Sequence, residues 1–446
     1  MKKTLLSITL FCFALISSAQ SWVSQATGFT NPARDIQGIQ IVDANTVWAL
    51  AGDGSGVGTN VQEFTRTLDG GATWIPGTIN LGDNTLKIGN LCAISATTAW
   101  VSAFDNTNGL GGVWKTTDGG QTWVAQNTTA FTTAGSSWCD GVHFFDENNG
   151  LAYGDPVGSN FEIYTTSDGG ATWTAVPAGT TTNPNALTNE WGYAGSFAYA
   201  GNSFWFTTSK GKIYRTTDMG LHWTKLNSPL SDFGGGVTTT NFGTLYFSDN
   251  NTGMILGTKD TASTFKIYTT TNGGTNWATG VVYSGFLNLC YIPNTTTLIS
   301  TSDSTTLGTG SAYSMDNGAT WTPIDADIAH GVPAFLNPTT GWCGGINQSA
   351  TTDGIFKFNG NLANQMFEKT DGFKVYPNPA HQFVTISSKE VDSFQLTVTD
   401  ITGKVLLNNS FTGVENSIDT SNFMDGIYFF TMRSDSKTQT IKIVKN

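Results

Sequence analysis

Charged side chains are scarce in this 446-residue sequence: Asp, Glu, Lys and Arg make up 12% of it, against about 25% in an average globular chain. That excludes a helical bundle, whose solvent faces need Lys, Glu and Arg. An excess of positive charge is also missing. The net charge of −12 argues against nucleic acid and against anionic membrane surfaces, both of which select clustered Lys and Arg. Apart from the N-terminus, no apolar run approaches the roughly 18 residues that a spanning helix requires. Cysteine is sparse, and Cys92, Cys139, Cys290 and Cys343 stand isolated on apolar strand patterns. They are expected to be buried free thiols rather than disulfides or metal ligands. There is no phosphate-binding Gly loop, no zinc spacing and no Gly-x-Ser-x-Gly elbow. What the chain does have is 52 Gly, 28 Phe, 14 Trp and 12 Tyr. Disordered chains lack so many aromatics, and the mixture fits many short strands joined by tight turns.

The ends read as addresses. Met1-Lys2-Lys3, the apolar run Leu5–Ile16 and Ser17-Ser18-Ala19 have the form of a signal peptide over residues 1–19. Of 21 basic and 33 acidic residues, 2 and 0 lie in 1–19 and 7 and 7 in 372–446. Residues 20–371 therefore hold 12 and 26, a net of −14. At the C-terminus stand Val375-Tyr376-Pro377-Asn378-Pro379, the strand pattern Leu396–Val405 around Thr402-Gly403, Met424-Asp425-Gly426-Ile427-Tyr428 and the basic end Lys442-Ile443-Val444-Lys445. In that order and spacing they resemble the type A C-terminal sorting domain of the type IX secretion system of Bacteroidota, expected over 372–446 after a linker at 361–371. The resemblance implies export to the cell surface or medium and contact with the type IX machinery. Alternating apolar positions with Gly turns read independently as a small β-sandwich.

The middle of the chain is a repeat, the first thing to seek before any catalytic motif. TLDGGATW (Thr67–Trp74) recurs as TTDGGQTW, TSDGGATW, TTDMGLHW, TTNGGTNW and SMDNGATW, the Asp or Asn position advancing by 49, 50, 50, 54 and 44 residues. A seventh, decayed copy is read at TTDGIFKF (Thr351–Phe358). The carboxylate caps turn N–H groups, Gly-Gly supplies positive φ, and the Trp locks the turn onto the sheet. Asp69, Trp74, Asp118, Trp123, Asp168, Trp173, Asp218, Trp223, Asn272, Trp277, Asp316 and Trp321 are therefore expected to be fold residues. Asn272 supports this, since an amide accepts the same bonds but does no acid–base work. Upstream of each box lies a second apolar strand, such as NTVWALAG (Asn45–Gly52), preceded by another. Four strands per repeat of about 50 residues make one propeller blade. The expectation is an all-β, seven-bladed propeller over 20–360, with the strand around Trp22 completing the last blade from the N-terminus. The octets resemble the Asp-boxes of sialidases and related propellers, and the repeat framework over about 32–358 resembles the photosystem II stability and assembly factor family, whose members imply a protein-binding scaffold with an arginine-rich face that is not found here.

Enzyme chemistry is weighed against this frame. The sialidase resemblance implies three convergent arginines, a Tyr/Glu nucleophile pair and an Asp acid/base. The propeller has Arg34, Arg66 and Arg215, but Arg66 and Arg215 share one repeat position three residues before a box Asp. A sialidase is thus disfavoured, the more so because a net of −14 repels an anionic sugar. A hydrolase of neutral polysaccharide, as the Asp-box xyloglucanases would imply, needs two carboxylates facing across a cleft. The entries into the innermost strands place Arg34, Asp35, Lys87, Trp138, Asp140, Glu190, Trp191, Asp327 and His330 near one mouth of the channel. Asp140, Glu190 and Asp327 are the acid/base candidates. Arg34, Asp35, Trp138, Asp140, Glu190, Trp191 and His330 are candidate contacts to a glycan or protein ligand. His143 and His222 read as structural and His381 as part of the sorting domain. No cofactor is expected. Asp146–Gly150 and Asp249–Gly253 look like fragments of Ca²⁺ loops but share one hairpin position. The favoured reading is a secreted or cell-surface, non-catalytic binding module, with a glycoside hydrolase as the alternative.

Overall fold

The computed structural model describes residues 21–126, 130–234, 242–258, 264–304, 308–362, 373–388, 393–434 and 438–446. The expected leader at 1–19 and most of the expected linker lie outside these residues. The chain divides into two compact units between Asn361 and Leu362.

The first unit is a ring of seven four-stranded antiparallel sheets. Blade 1 consists of strands a to d at Arg34–Ile41, Val47–Asp53, Glu63–Thr67 and Ile75–Thr78. The inner a strands of blades 2 to 7 are Leu86–Ala93, Cys139–Phe144, Gly192–Ala200, Gly243–Phe247, Asn288–Tyr291 and Pro333–Asn337. Neighbouring a strands touch one another around the ring. The b strands, such as Val47–Asp53 and Ala99–Asp105, are buried nearly throughout, which is why they read as continuous apolar runs. Blade 7 takes its outer strand from the N-terminus: Ser21–Ala26 pairs with Gly354–Asn359, with Trp22 opposite Phe358. This supplies the missing d strand and joins the two ends of the ring.

Each box closes the turn between strands c and d by the same bonds. Thr73 donates its N–H to Asp69 Oδ1 at 2.9 Å and its hydroxyl to Oδ2 at 2.6 Å, while Gly71 N–H donates to Thr67 Oγ1 at 2.8 Å. The pattern repeats at Asp118, Asp168 and Asp316, and at Asn272 with the amide oxygen alone. At Asp218 it includes His222 Nδ1, 2.6 Å from Oδ2. These bonds hold Asp69, Asp118 and Asp168 down to about 2. The residue after the Asp or Asn has positive φ, a conformation Gly tolerates and which Met219 and Asn317 adopt at +59°. Its N–H donates to the a–b hairpin of the same blade, as from Gly70 to Asn45 O, Gly119 to Thr97 O and Gly169 to Asn148 O.

Two sequence expectations are corrected here. The turn at Asp353 is not a seventh box: it precedes strand c, whereas every box follows it, and its carboxylate accepts the Ser24 hydroxyl. In the shared register Lys357 pairs with Trp342 as Arg66 pairs with Trp48, so the box position falls on Gly360. Cys290 is half-buried, while Cys92, Cys139 and Cys343 are buried; all four are free.

That register carries a tie between blades. Arg66, Lys115, Arg215 and Lys357 each lie over the ring of the paired b-strand Trp at 4.9–5.5 Å: Trp48, Trp100, Trp205 and Trp342. Their polar ends cross to the adjacent blade: Lys115 Nζ donates to Gly169 O and Lys357 Nζ to Gly70 O. Trp100 and Trp205 indoles donate to Gly169 O and Gly273 O on the following blade's box. Where the b position is aliphatic, the partner is uncharged: Leu151 faces Thr165 and Met254 faces Thr269.

The second unit has one sheet of Phe373–Tyr376, Phe383–Ser388 and Glu415–Asp419 and another of Val405–Thr412, Ser393–Asp400, Gly426–Arg433 and Thr438–Lys445. Leu396, Val398, Phe430 and Met432 lie in its core.

Because cation and Trp are coupled, Arg215→Thr is expected to cost about 1–2 kcal/mol and Trp205→Met about 2–3 kcal/mol. The double variant should fall short of their sum by about 0.5–1 kcal/mol, measured from urea midpoints. Strict additivity would contradict the tie.

Candidate functional site

The loops between blades and the ends of the b strands form one face of the ring; the boxes and a–b hairpins form the other. On the loop face a cavity of about 450 Å³ is lined by Lys87, Phe104, Trp138, Asp140, Asp155 and Tyr193, among others. It exists because strand a of blade 4 leaves its ladder. Gly192 pairs with Thr208 and Phe197 with Phe206, so Tyr193, Ala194, Gly195 and Ser196 bulge out of register. The bulge reaches toward the channel: a Cβ on Gly195 would stand 3.4 Å from Gly89 O in blade 2. Tyr193 is held by donating its hydroxyl to Asp232 Oδ1 at 2.8 Å.

Under the bulge lies a pair of carboxylates. Asp155 Oδ1 accepts Gly192 N–H at 2.7 Å. A Cβ on Gly192 would meet Asp140 Oδ2 at 2.6 Å and Asp155 Oδ1 at 3.7 Å, so any other residue there would displace the Asp140 carboxyl. Asp140 is 4% exposed, and its Oδ2 has no hydrogen-bond partner. Burial, with Asp155 beside it, holds the Asp140 carboxyl well above the usual range, and burial pushes Asp155 up to about 6.

Sequence reasoning placed Asp140 at this mouth but missed Asp155. The reason is physical: Asp53 and Asp105 end their b strands and Asp155 stands two residues before the end of its own, Gly150–Val157, and the first two cap their own loops, accepting Thr59 N–H and Thr107 N–H. Nothing in the sequence distinguishes the one that turns to a neighbouring blade. Of the two tryptophans, Trp138 lines the cavity and is half-buried, whereas Trp191 is 46% exposed with Lys210 Nζ 6.0 Å from its ring. Asp35 Oδ1 is buried without a partner, and burial raises its carboxyl, with Asp303 and Asp53 adding to the effect.

The remaining mouth residues are placed otherwise. Glu190 is buried, accepting the Thr208 hydroxyl at 2.5 Å and Leu187 N–H at 2.7 Å; it ties a loop to its blade and does not reach a ligand. His330 is likewise buried, between Trp22 and Phe356, with Nε2 2.7 Å from Asp325 Oδ2 and Nδ1 3.5 Å from Cys343 Sγ. This Cys–His–Asp contact has the partners of a nucleophilic site but no access, since His330 and Cys343 are 0% exposed and burial raises the thiol. Asp327 is exposed at the outer strand of blade 6, with φ of +67°. No two of Asp140, Glu190 and Asp327 come together. Arg34 is bound to Glu63 at 3.0 and 3.1 Å, and Arg66 and Arg215 serve the blade ties. The three propeller arginines do not converge. The Asp146 and Asp249 carboxylates accept N–H groups of their own hairpins.

A carboxyl raised on folding binds more protons folded than unfolded, so it subtracts stability as pH rises from its ordinary value through its folded one. Asp140→Asn should therefore stabilise the protein at about pH 8 by at least about 1 kcal/mol, the gain vanishing below about pH 4. Urea unfolding at the two pH values measures it; a loss of stability at the higher pH would contradict the burial of an unpaired carboxyl.

Comparison with known proteins places the two units. Residues 374–446 match the secretion system C-terminal sorting domain family. No curated protein sequence matches significantly. Among solved structures, YCF48 bound to D1 peptide aligns at 15% identity and TM-score 0.50, over 78% of this chain and 99% of that one. YCF48 from Cyanidioschyzon merolae aligns at 14% and 0.50, over 76% and 99%. The Hadza microbial sialidase Hz136 aligns at 14% and 0.40, over 77% and 69%. At these identities the likeness is one of fold. No helix among the described residues is long and apolar enough to cross a membrane. The sorting domain marks the chain for export by the type IX secretion system, to the cell surface or medium, through contact with that machinery. The chain thus joins a seven-bladed β-propeller, alike in fold to the YCF48 structures, to a type IX C-terminal sorting domain.

Proposed function

We propose that the exported propeller is a non-catalytic binding module whose ligand, a glycan or a protein, is taken at the loop-face mouth. The observation that carries this reading is the filled space beside Asp140. Glycoside hydrolysis needs two carboxyl groups on either side of the scissile bond with room for sugar or water between them. Asp140 and Asp155 belong to adjacent strands of one blade, and the Gly192 backbone sits against both oxygens. The other acid/base candidate nearby, Glu190, is bonded to its own blade. What remains open is a cavity that sets the aromatic rings of Phe104, Trp138, Tyr193 and Phe242 among polar groups such as Lys87, Asn106, Ser196 and Thr244, a surface suited to stacking and hydrogen bonding with a ligand.

The full-length protein should bind a subset of an array of extracellular glycans and peptides and release no reducing ends from any of them. Binding should fall on Trp138→Ala and be unchanged by Glu190→Gln. Turnover of a polysaccharide that is lost in Asp140→Asn would overturn the reading in favour of a hydrolase.

A further inference from the structure

We propose that the mouth cavity receives a cationic side chain, lysine or arginine, presented by a polypeptide partner. This rests on the binding reading above and specifies its ligand. The first support is the carboxyl pair: Asp140 and Asp155 both line the cavity, and burying their charge is costly unless a cation at the open side offsets it. An ammonium or guanidinium does so with charge-assisted hydrogen bonds. The second support is the wall. Trp138, Phe104, Tyr193 and Phe242 line the same cavity, and aromatic faces attract cations. The third is the field: the propeller carries 26 acidic against 12 basic residues between 20 and 371. A net of that sign raises the local concentration of positively charged partners and repels acidic ones.

One internal competitor is present. Lys87 lines the cavity, is exposed and makes no ion pair among the described residues. Its ammonium opposes entry of a second cation and would favour entry of an anion. Removing its charge therefore separates the two signs of ligand.

The test uses the full-length protein and four small probes in calorimetric titration: the N-acetyl methylamides of lysine, arginine, norleucine and glutamate. Lysine or arginine probe should bind saturably, norleucine at least roughly tenfold more weakly, and glutamate not at all. Asp140→Asn should weaken the cationic probe roughly tenfold, and Lys87→Gln should tighten it about two- to fivefold. Equal binding of norleucine, an unchanged affinity in Asp140→Asn, weakening in Lys87→Gln, or no binding of either cation overturns the proposal. If a neutral oligosaccharide from the array binds the mouth and depends on Trp138 but not on the Asp140 charge, the cation proposal falls while the binding module stands. If no array member binds, or one is hydrolysed, the broader reading falls instead.

Discussion

A carboxylate that accepts the N–H and hydroxyl of the residue four positions later is the interaction on which the propeller depends. It fixes the turn from strand c to strand d, and that turn does more than reverse the chain. With the box closed, the first residue after the Asp donates to the hairpin of its own blade, while the carbonyls of Gly70, Gly169 and Gly273 face the preceding blade. Those carbonyls receive the neighbour's indole or cation. The same turn therefore holds a blade together and holds it to the next one. An amide oxygen suffices for the backbone bond, as Asn272 shows, so the side chain is needed as an acceptor and not as an acid.

Coupling between blades then explains where charge is placed in a chain that has little of it. Four of its cations lie over tryptophans with their ends on backbone carbonyls of the adjacent blade or its turns. A Trp at the b position leaves room and an electron-rich face for a cation, whereas Leu151 and Met254 stand opposite threonine. Arg34 is tied to Glu63. Five of the twelve basic residues between 20 and 371 are thus tied into the framework, and the loop-face cavity is lined by Asp140, Asp155 and Lys87.

The repeat was legible because the box bonds are local: Thr67, Asp69, Gly71 and Thr73 are neighbours in sequence, and their order is copied in each blade. Closure by the strand at Trp22 was legible for the same reason, since its apolar pattern matches an outer strand. The TTDG at 351–354 misled because a tight turn uses the same residues on either side of a strand; only the pairing of Lys357 with Trp342 fixes the register. The mouth was half legible. Asp140 and Trp138 follow from counting blades, but whether a carboxylate reaches a ligand or a loop is decided between blades. Glu190 found Thr208 and Leu187, His330 found Asp325, and Asp155 found Gly192, none of them predictable from spacing. The a strands of blades 1, 2 and 3 bulge by one residue at the same register, at Gln37, Gly89 and Asp140; what the repeat does not copy is the length of the bulge at Tyr193–Ser196, which shapes the cavity.

The loop face is the functional face in this account, and the box face, with its cleft of about 850 Å³ beside His143 and Tyr199, is structural. Hydrogen exchange by mass spectrometry on the full-length protein, with and without the tightest-binding array ligand, tests this directly. Protection should rise in the segments around 138–140, 153–155 and 192–196 and stay unchanged in the six box turns. Protection confined to the box face, around 40–42, 143–148 and 199, would contradict it.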